Sequence, residues 1–237
     1  MNRPEWKPNR IFVTGTDTGV GKTVLSLLLM QFLYECGANP FYLKLIQTGC
    51  TSPLDTDSDA KFIYENVSAL KGKDPGASVA QCFTNPKAPW FAARDDGRQV
   101  DLKAVIGAVE EKSLSHSPLI LEGAGGLFVP VNENTLMIDL IGMLHATPIL
   151  AARAGLGTIN HTILCIEALK ARDLSPLGII FLDFADEQTP KDMLQNNIEA
   201  IEKFSTIPVA GVIGKIDDFS MPGKECREPF LSLFGGM

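Results

Sequence analysis

The sequence predicts a doubly wound, mostly parallel α/β sheet flanked by helices and folded as one domain. Short apolar segments such as Arg10–Val13, Pro118–Leu121 and Pro148–Ala152 alternate with helix-like stretches of about a dozen residues. That alternation marks βαβ units whose strands are buried on both faces. A glycine-rich run, Gly15–Thr23, stands between the first strand and the first helix. No internal repeat or linker-like change of composition divides the chain.

The elements follow in order. Arg10–Val13 reads as a strand and Val24–Cys36 as a buried helix stopped by Gly37. Phe41–Ile46 is a second strand, and Asp57–Asn66 a helix with an acidic start. Lys71–Arg98, rich in Gly, Pro, Asn and Asp, reads as an irregular loop. Asp101 caps a helix running to Lys112. Pro118–Leu121 is a strand followed by Glu122-Gly-Ala-Gly-Gly126. Met137–Leu144 is helical, Pro148–Ala152 a strand and Asn160–Ala171 a helix. Leu177–Leu182 is a strand, Pro190–Phe204 a helix with proline in its first turn, and Ile207–Ile213 the last strand. Ligands of such a sheet bind at the carboxyl ends of its strands.

Composition limits the function classes. At 237 residues, one large or two small domains are possible, and the unbroken βα pattern favours one, spanning 1–237. Residues 1–9 form a polar N-terminal extension without the apolar core of a secretory signal, and 221–237 form a tail of undefined role. A net charge of −7 argues against nucleic acid as a partner, while leaving room for a small anion in a local cationic pocket. No apolar run reaches the ~18 residues of a membrane span. The five cysteines are scattered without a CxxC, as in a cytoplasmic protein with reduced thiols. The three histidines show no zinc-ligand spacing.

The strongest chemistry lies in Gly15-Thr-Asp-Thr-Gly-Val-Gly-Lys22-Thr23. A strand, a glycine-rich loop ending in GKT and a helix are the parts of a P-loop, so the fold is P-loop NTPase-like. Glycines let backbone amides turn toward phosphate oxygens, and the helix N-terminus adds a positive dipole end. Lys22 is placed to reach the β- and γ-phosphates, and the Thr23 hydroxyl to meet Mg²⁺. Five residues separate Gly15 from Gly21, one more than in the standard motif.

Two carboxylates and a second lysine point to the same end of the sheet. Glu122 follows a buried strand, where it binds Mg²⁺ or acts as a structural cap beside a tight turn. Asp59, in Asp55-Thr-Asp-Ser-Asp59, is a metal candidate or part of a solvated helix start. Lys44 interrupts an apolar strand, a costly position without an anionic partner unless the strand lies at an edge. Thr48 lies just beyond it. In Gly155-Leu-Gly-Thr-Ile-Asn-His161, Thr158 and Asn160 stand at a helix start, where free amides suit a carboxylate or serve simple capping.

The runs GTDTGVGKT, KLIQTG, DSDA, EGAGG and GLGTINH, in this order from about Ile11 to Asp183, resemble the dethiobiotin synthetase family. The longer P-loop is that family's own form. The resemblance implies Mg-ATP-dependent closure of a ureido ring from 7,8-diaminononanoate and CO₂ or bicarbonate. A carbamate on one amine attacks the γ-phosphate to give a carbamic–phosphoric anhydride, and the second amine then displaces phosphate. It implies catalytic roles for Lys22 and Lys44, and substrate contacts from Thr18, Thr48, Gly125, Thr158 and Asn160. Thr23, Asp59 and Glu122 would hold Mg²⁺. Gly15, Gly19, Val20, Gly21, Lys22, Thr23, Asp59, Glu122, Leu182 and Asp183 would surround the nucleotide. It further implies a homodimer whose active site lies at the interface, with Thr158 and Asn160 given by the neighbouring subunit. Removing either lysine is expected to abolish turnover with little loss of fold.

Departures from the family pattern concern the purine base. Leu182-Asp183 stands where the family commonly has Asn-Asp, and Gly214-Lys-Ile-Asp217 where it often has Gly-x-Ile-Pro. A looser preference among nucleoside triphosphates is expected. Partition-type switch ATPases share the fold, but Asp17 occupies the place of their signature lysine. A related amidoligase would need a glutaminase domain for which 237 residues leave no room.

Overall fold

The computed structural model describes residues 7–185 and 187–235, so most of the expected N-terminal extension and the last two residues lie outside it. Its centre is a seven-stranded parallel sheet, with β1 (Arg10–Gly15), β2 (Phe41–Thr48), β3 (Val79–Phe83), β4 (Leu119–Glu122), β5 (Thr147–Arg153), β6 (Ile179–Asp183) and β7 (Val209–Gly214). The spatial order is β3-β2-β4-β1-β5-β6-β7. The phosphate loop therefore leaves a strand in the middle of the sheet.

Alternation along each strand feeds two cores. Ile11, Val13 and Ile120 pack with α1 (Lys22–Glu35) and α2 (Asp59–Asn66). Phe12, Leu119 and Leu121 turn to the opposite face, against α3 (Pro89–Asp95), α4 (Leu102–Ser113) and α5 (Met137–Met143). A third cluster joins β5 and β6 to α6 (Thr158–Lys170) and α7 (Lys191–Ser205). Within the described residues of the tail, α8 (Glu228–Phe234) buries Phe230 and Phe234 against Phe32, with ring centroids 5.5 and 6.2 Å away.

The main correction concerns Lys71–Arg98, which is not one irregular loop. It holds a 3₁₀ turn at Pro75–Ser78, then β3 and α3. The strand is only partly buried, and its polar Gln81 interrupts the apolar pattern. That side chain braces the start of α4, donating to the Asp101 carbonyl at 2.5 Å and accepting from its amide at 3.0 Å. Asp101 caps α4 as expected, its carboxylate accepting from Ala104 N at 3.0 Å. Lys44 does not lie at an edge, because β2 runs between β3 and β4.

Candidate active site

The site forms where the carboxyl ends of β1, β2 and β4 meet. Gly21 at φ 97° turns the loop into α1, a left-handed conformation that a side chain would strain. A Cβ there would meet Leu182 Cδ1 at 2.5 Å and Phe184 Cε2 at 2.9 Å. The loop is thus backed by the end of β6. Val20 turns its side chain into the core, leaving only its backbone toward the loop's concave side.

Strand register explains the centre. Lys44 pairs across from Glu122 in the β2–β4 ladder, while Val13 flanks Glu122 on the other side. Glu122 is fully buried and Lys44 nearly so. Lys44 Nζ lies 2.8 Å from Glu122 Oε1, 2.5 Å from Asp59 Oδ2 and 3.1 Å from the Gly123 carbonyl oxygen. Thr23 Oγ1 sits 2.9 Å from Glu122 Oε1 and 3.1 Å from Asp59 Oδ1. The second carboxylate oxygen, Oε2, accepts from Ser26 Oγ at 2.8 Å and from Tyr42 OH at 3.1 Å. Gln47 Oε1 accepts from the Asp59 amide at 3.2 Å and so ties α2 to β2.

Ser26, Tyr42 and Gln47 did not stand out in the sequence. A serine inside a buried helix and a tyrosine in a strand look like core residues. The available signal was period: Tyr42 stands two residues before Lys44, and Ser26 one helical turn after Lys22.

The two lysines differ electrostatically. Burial, and then the charge of Lys44, lower the Lys22 ammonium from the usual lysine range to about 8. Its Nζ donates to the Asp17 carbonyl at 3.0 Å, inside the loop. Burial also works against the charge on Lys44, but Glu122 and Asp59 outweigh it and hold that ammonium above the ordinary range. Burial, then Glu122, raise the Tyr42 phenol, which stays a donor.

Thr18, Gly19, Gly21, Lys22, Thr23, Lys44, Thr48, Asp59, Glu122 and Gly125 line one cavity of about 440 Å³. Gly125, at φ 67°, has its would-be Cβ position filled by Val129 Cγ2 at 2.6 Å, with the Thr18 hydroxyl 3.5 Å away. Other expected residues lie outside this cavity. Thr158 is buried, its hydroxyl 3.2 Å from that of Thr162, and Asn160 is exposed at the start of α6. Leu182 packs in the core. The Asp183 carboxylate is occupied by Thr189, accepting from its amide at 2.9 Å and its hydroxyl at 3.0 Å. Gly15, at the end of β1, has its would-be Cβ position filled by Val20 at 2.5 Å.

The Asp59 and Glu122 carboxylates each lie within hydrogen-bond reach of Thr23 Oγ1, at 3.1 and 2.9 Å, and this set of hard oxygen donors fits Mg²⁺. No group of three His, Cys, Asp or Glu residues is placed to hold a metal by itself among the described residues.

Comparison with known proteins identifies the family. A family model described as an AAA domain matches residues 9–222. The chain is 39% identical over 181 residues to the ATP-dependent dethiobiotin synthetase BioD of Hydrogenobaculum, covering 75% of this chain and 78% of that one. It is 31% identical over 222 residues to the enzyme of the same name from Methanococcus vannielii, covering 92% and 100%. It is also 41% identical over 216 residues to the biotin biosynthesis bifunctional protein BioCD of Bordetella avium, where it spans 41% of the relative's length. Among solved structures, the MinC:MinD cell division complex of Aquifex aeolicus matches with a TM-score of 0.56 at 16% identity, covering 95% of each chain. At that identity the likeness concerns the fold alone. No helix among the described residues is long and apolar enough to cross a membrane. With the phosphate loop, two lysines and two carboxylates assembled at one sheet end, the chain belongs to the dethiobiotin synthetase family, on a P-loop NTPase fold.

Proposed function

We propose that this chain is an ATP-dependent dethiobiotin synthetase acting on 7,8-diaminononanoate, CO₂ and Mg-ATP. The observation that carries this reading is the pairing of the phosphate loop with Lys44, a second cation buried at the same strand ends. Such an arrangement suits a reaction that needs charge stabilisation and positioning but no protein nucleophile. Lys22 meets the β- and γ-phosphates. Lys44 faces the carbamate oxygen and the phosphoryl group it attacks. Thr18, Thr48 and the Gly125 backbone border the diamine. Mg²⁺, held by Thr23, Asp59 and Glu122, neutralises charge on the phosphate oxygens when bound. Incubation with diaminononanoate, bicarbonate, Mg²⁺ and ATP should yield dethiobiotin by mass; hydrolysis of ATP without that product overturns the reading.

The nucleoside extends away from Lys44, over β6 and β7. There Leu182 offers no amide, and the Asp183 carboxylate is already engaged by Thr189. Base discrimination is therefore weak. At equal concentrations, ATP should outperform GTP and CTP by less than ~100-fold, since a larger ratio requires an intact polar contact to the base.

Nucleotide affinity should depend on pH through Lys22. Below about pH 8 the side chain is already charged. Above that value, binding of the triphosphate must recapture a proton, so the apparent Kd rises by up to about tenfold per pH unit. Titration of a non-hydrolysable ATP analogue from pH 7 to 9.5 reads this slope. A flat profile, or the same slope in Lys22→Gln, contradicts it.

The working enzyme is a cytoplasmic homodimer in which the neighbouring subunit's α6 start, with Thr158 and Asn160, receives the substrate carboxylate. The exposed Leu156 and Leu164 beside that segment support burial there. A variant held monomeric should lose turnover, and full activity in a confirmed monomer rules out the shared site.

A further inference from the structure

A second cavity, of about 830 Å³, opens between α3 and the loop Asn132–Thr135. Its floor is apolar, built from Trp90, Ala93 and Val100. Its rim carries Arg94 and Arg98, both exposed. Among the described residues neither guanidinium has a carboxylate within ion-pair distance. In a chain of net charge −7 this is unexpected.

The neighbouring acids hydrogen-bond to other groups, although the charge of Arg94 also acts weakly on Asp95. Asp95 accepts from Lys87 at 2.5 Å and from Asn85 at 3.0 Å. Asp96 accepts from the Thr84 amide at 2.9 Å and its hydroxyl at 3.3 Å. Glu133 is the one carboxylate among the residues lining the cavity. Each guanidinium lies over an aromatic ring, Arg94 over Phe91 with Cζ 5.1 Å from the centroid and Arg98 over Phe83 at 4.8 Å. Arg98 spends one donor on the Cys82 carbonyl, at 3.0 Å. The other N–H groups are left for an oxyanion, which a guanidinium fork binds in bidentate fashion.

We propose that this cavity is a binding site for a small amphipathic organic anion, a carboxylate carried on an apolar body. The site is separate from the nucleotide cavity but joined to it. Trp90 N donates to the Pro130 carbonyl at 3.2 Å, in the loop that begins at Gly125. Phe83, beneath Arg98, pairs in the ladder with Thr48. The cavity thus adjoins two segments that border the nucleotide cavity.

Trp6 and Trp90 are the two tryptophans, so a Trp6→Phe background leaves Trp90 as the only indole, which red-edge excitation reads apart from the three tyrosines. Titration with octanoate should change Trp90 emission saturably. Octanamide, which lacks the charge, and inorganic phosphate, which lacks the apolar body, should each bind at least about tenfold more weakly. The Arg94→Gln/Arg98→Gln variant should lose about tenfold or more in octanoate affinity while keeping its melting temperature and basal turnover. If the double variant melts early, Arg94→Gln alone, on an exposed side chain, should still weaken octanoate binding severalfold. Equal binding of octanoate and octanamide, unchanged affinity in a folded variant, or no saturable signal overturns the proposal.

Discussion

In a Lys44→Ala variant, turnover is expected to fall by at least about 10³-fold and the fold to lose about 3–5 kcal/mol of stability. Lys22→Ala should lose turnover comparably but keep its melting temperature. The contrast comes from the surroundings. Lys44 is the buried counter-charge of Glu122 and Asp59, and its ammonium is held above the ordinary range by them. A lysine raised in this way stabilises the fold below its unfolded-state value, near 10.5, and loses that contribution only as pH climbs through the higher folded value. Removing it strands two acids. Lys22 has the opposite sign: its charge is disfavoured by the fold, fully so below about pH 8, and that penalty fades as pH rises toward 10.5. The expectation that either lysine can be removed with little loss of fold is therefore kept as a prediction for Lys22 and revised for Lys44. Thermal melts at pH 7 beside steady-state rates separate the two. Equal stability of both variants contradicts the assignment of Lys44 as the buried partner.

Glu122→Gln should raise the Mg²⁺ concentration for half-maximal rate by at least about tenfold, because a neutral amide replaces an anionic oxygen at the metal. Tyr42→Phe, which removes only a donor to the far oxygen, should shift the same titration less, by about threefold. Mg²⁺-dependent binding of a non-hydrolysable ATP analogue reads the same ordering without turnover. An unchanged Mg²⁺ titration in Glu122→Gln takes that residue out of the metal set.

Much of this site was legible because charge in an apolar strand is costly and conspicuous. Lys44 within Phe41-Tyr-Leu-Lys-Leu-Ile and Glu122 after Pro-Leu-Ile-Leu both broke a hydrophobic run, and the fold brings them face to face. The phosphate loop was legible from its neighbours, strand before and helix after. Ser26 and Tyr42 were not, since their polar atoms are small parts of residues that also serve as packing. The strand Val79–Phe83 was hidden by Gln81, whose amide does local work on Asp101. At Leu182 the sequence showed an amide missing. It did not show that Leu182 and Phe184 press on Gly21, a contact set by tertiary packing.

The Lys44–Glu122 pairing also bears on how the chain finds its alignment. Aliphatic strands buried on both faces slide past one another with little change in what they bury. Moving β2 by one residue would place Leu43 or Leu45 opposite Glu122 and leave an acid alone in the interior. The pair proposed to serve the reaction thus also favours one register of β2 against β4. A double variant with apolar residues at both positions would keep its stability yet tolerate shifted strand pairings, losing a unique structure along with its chemistry.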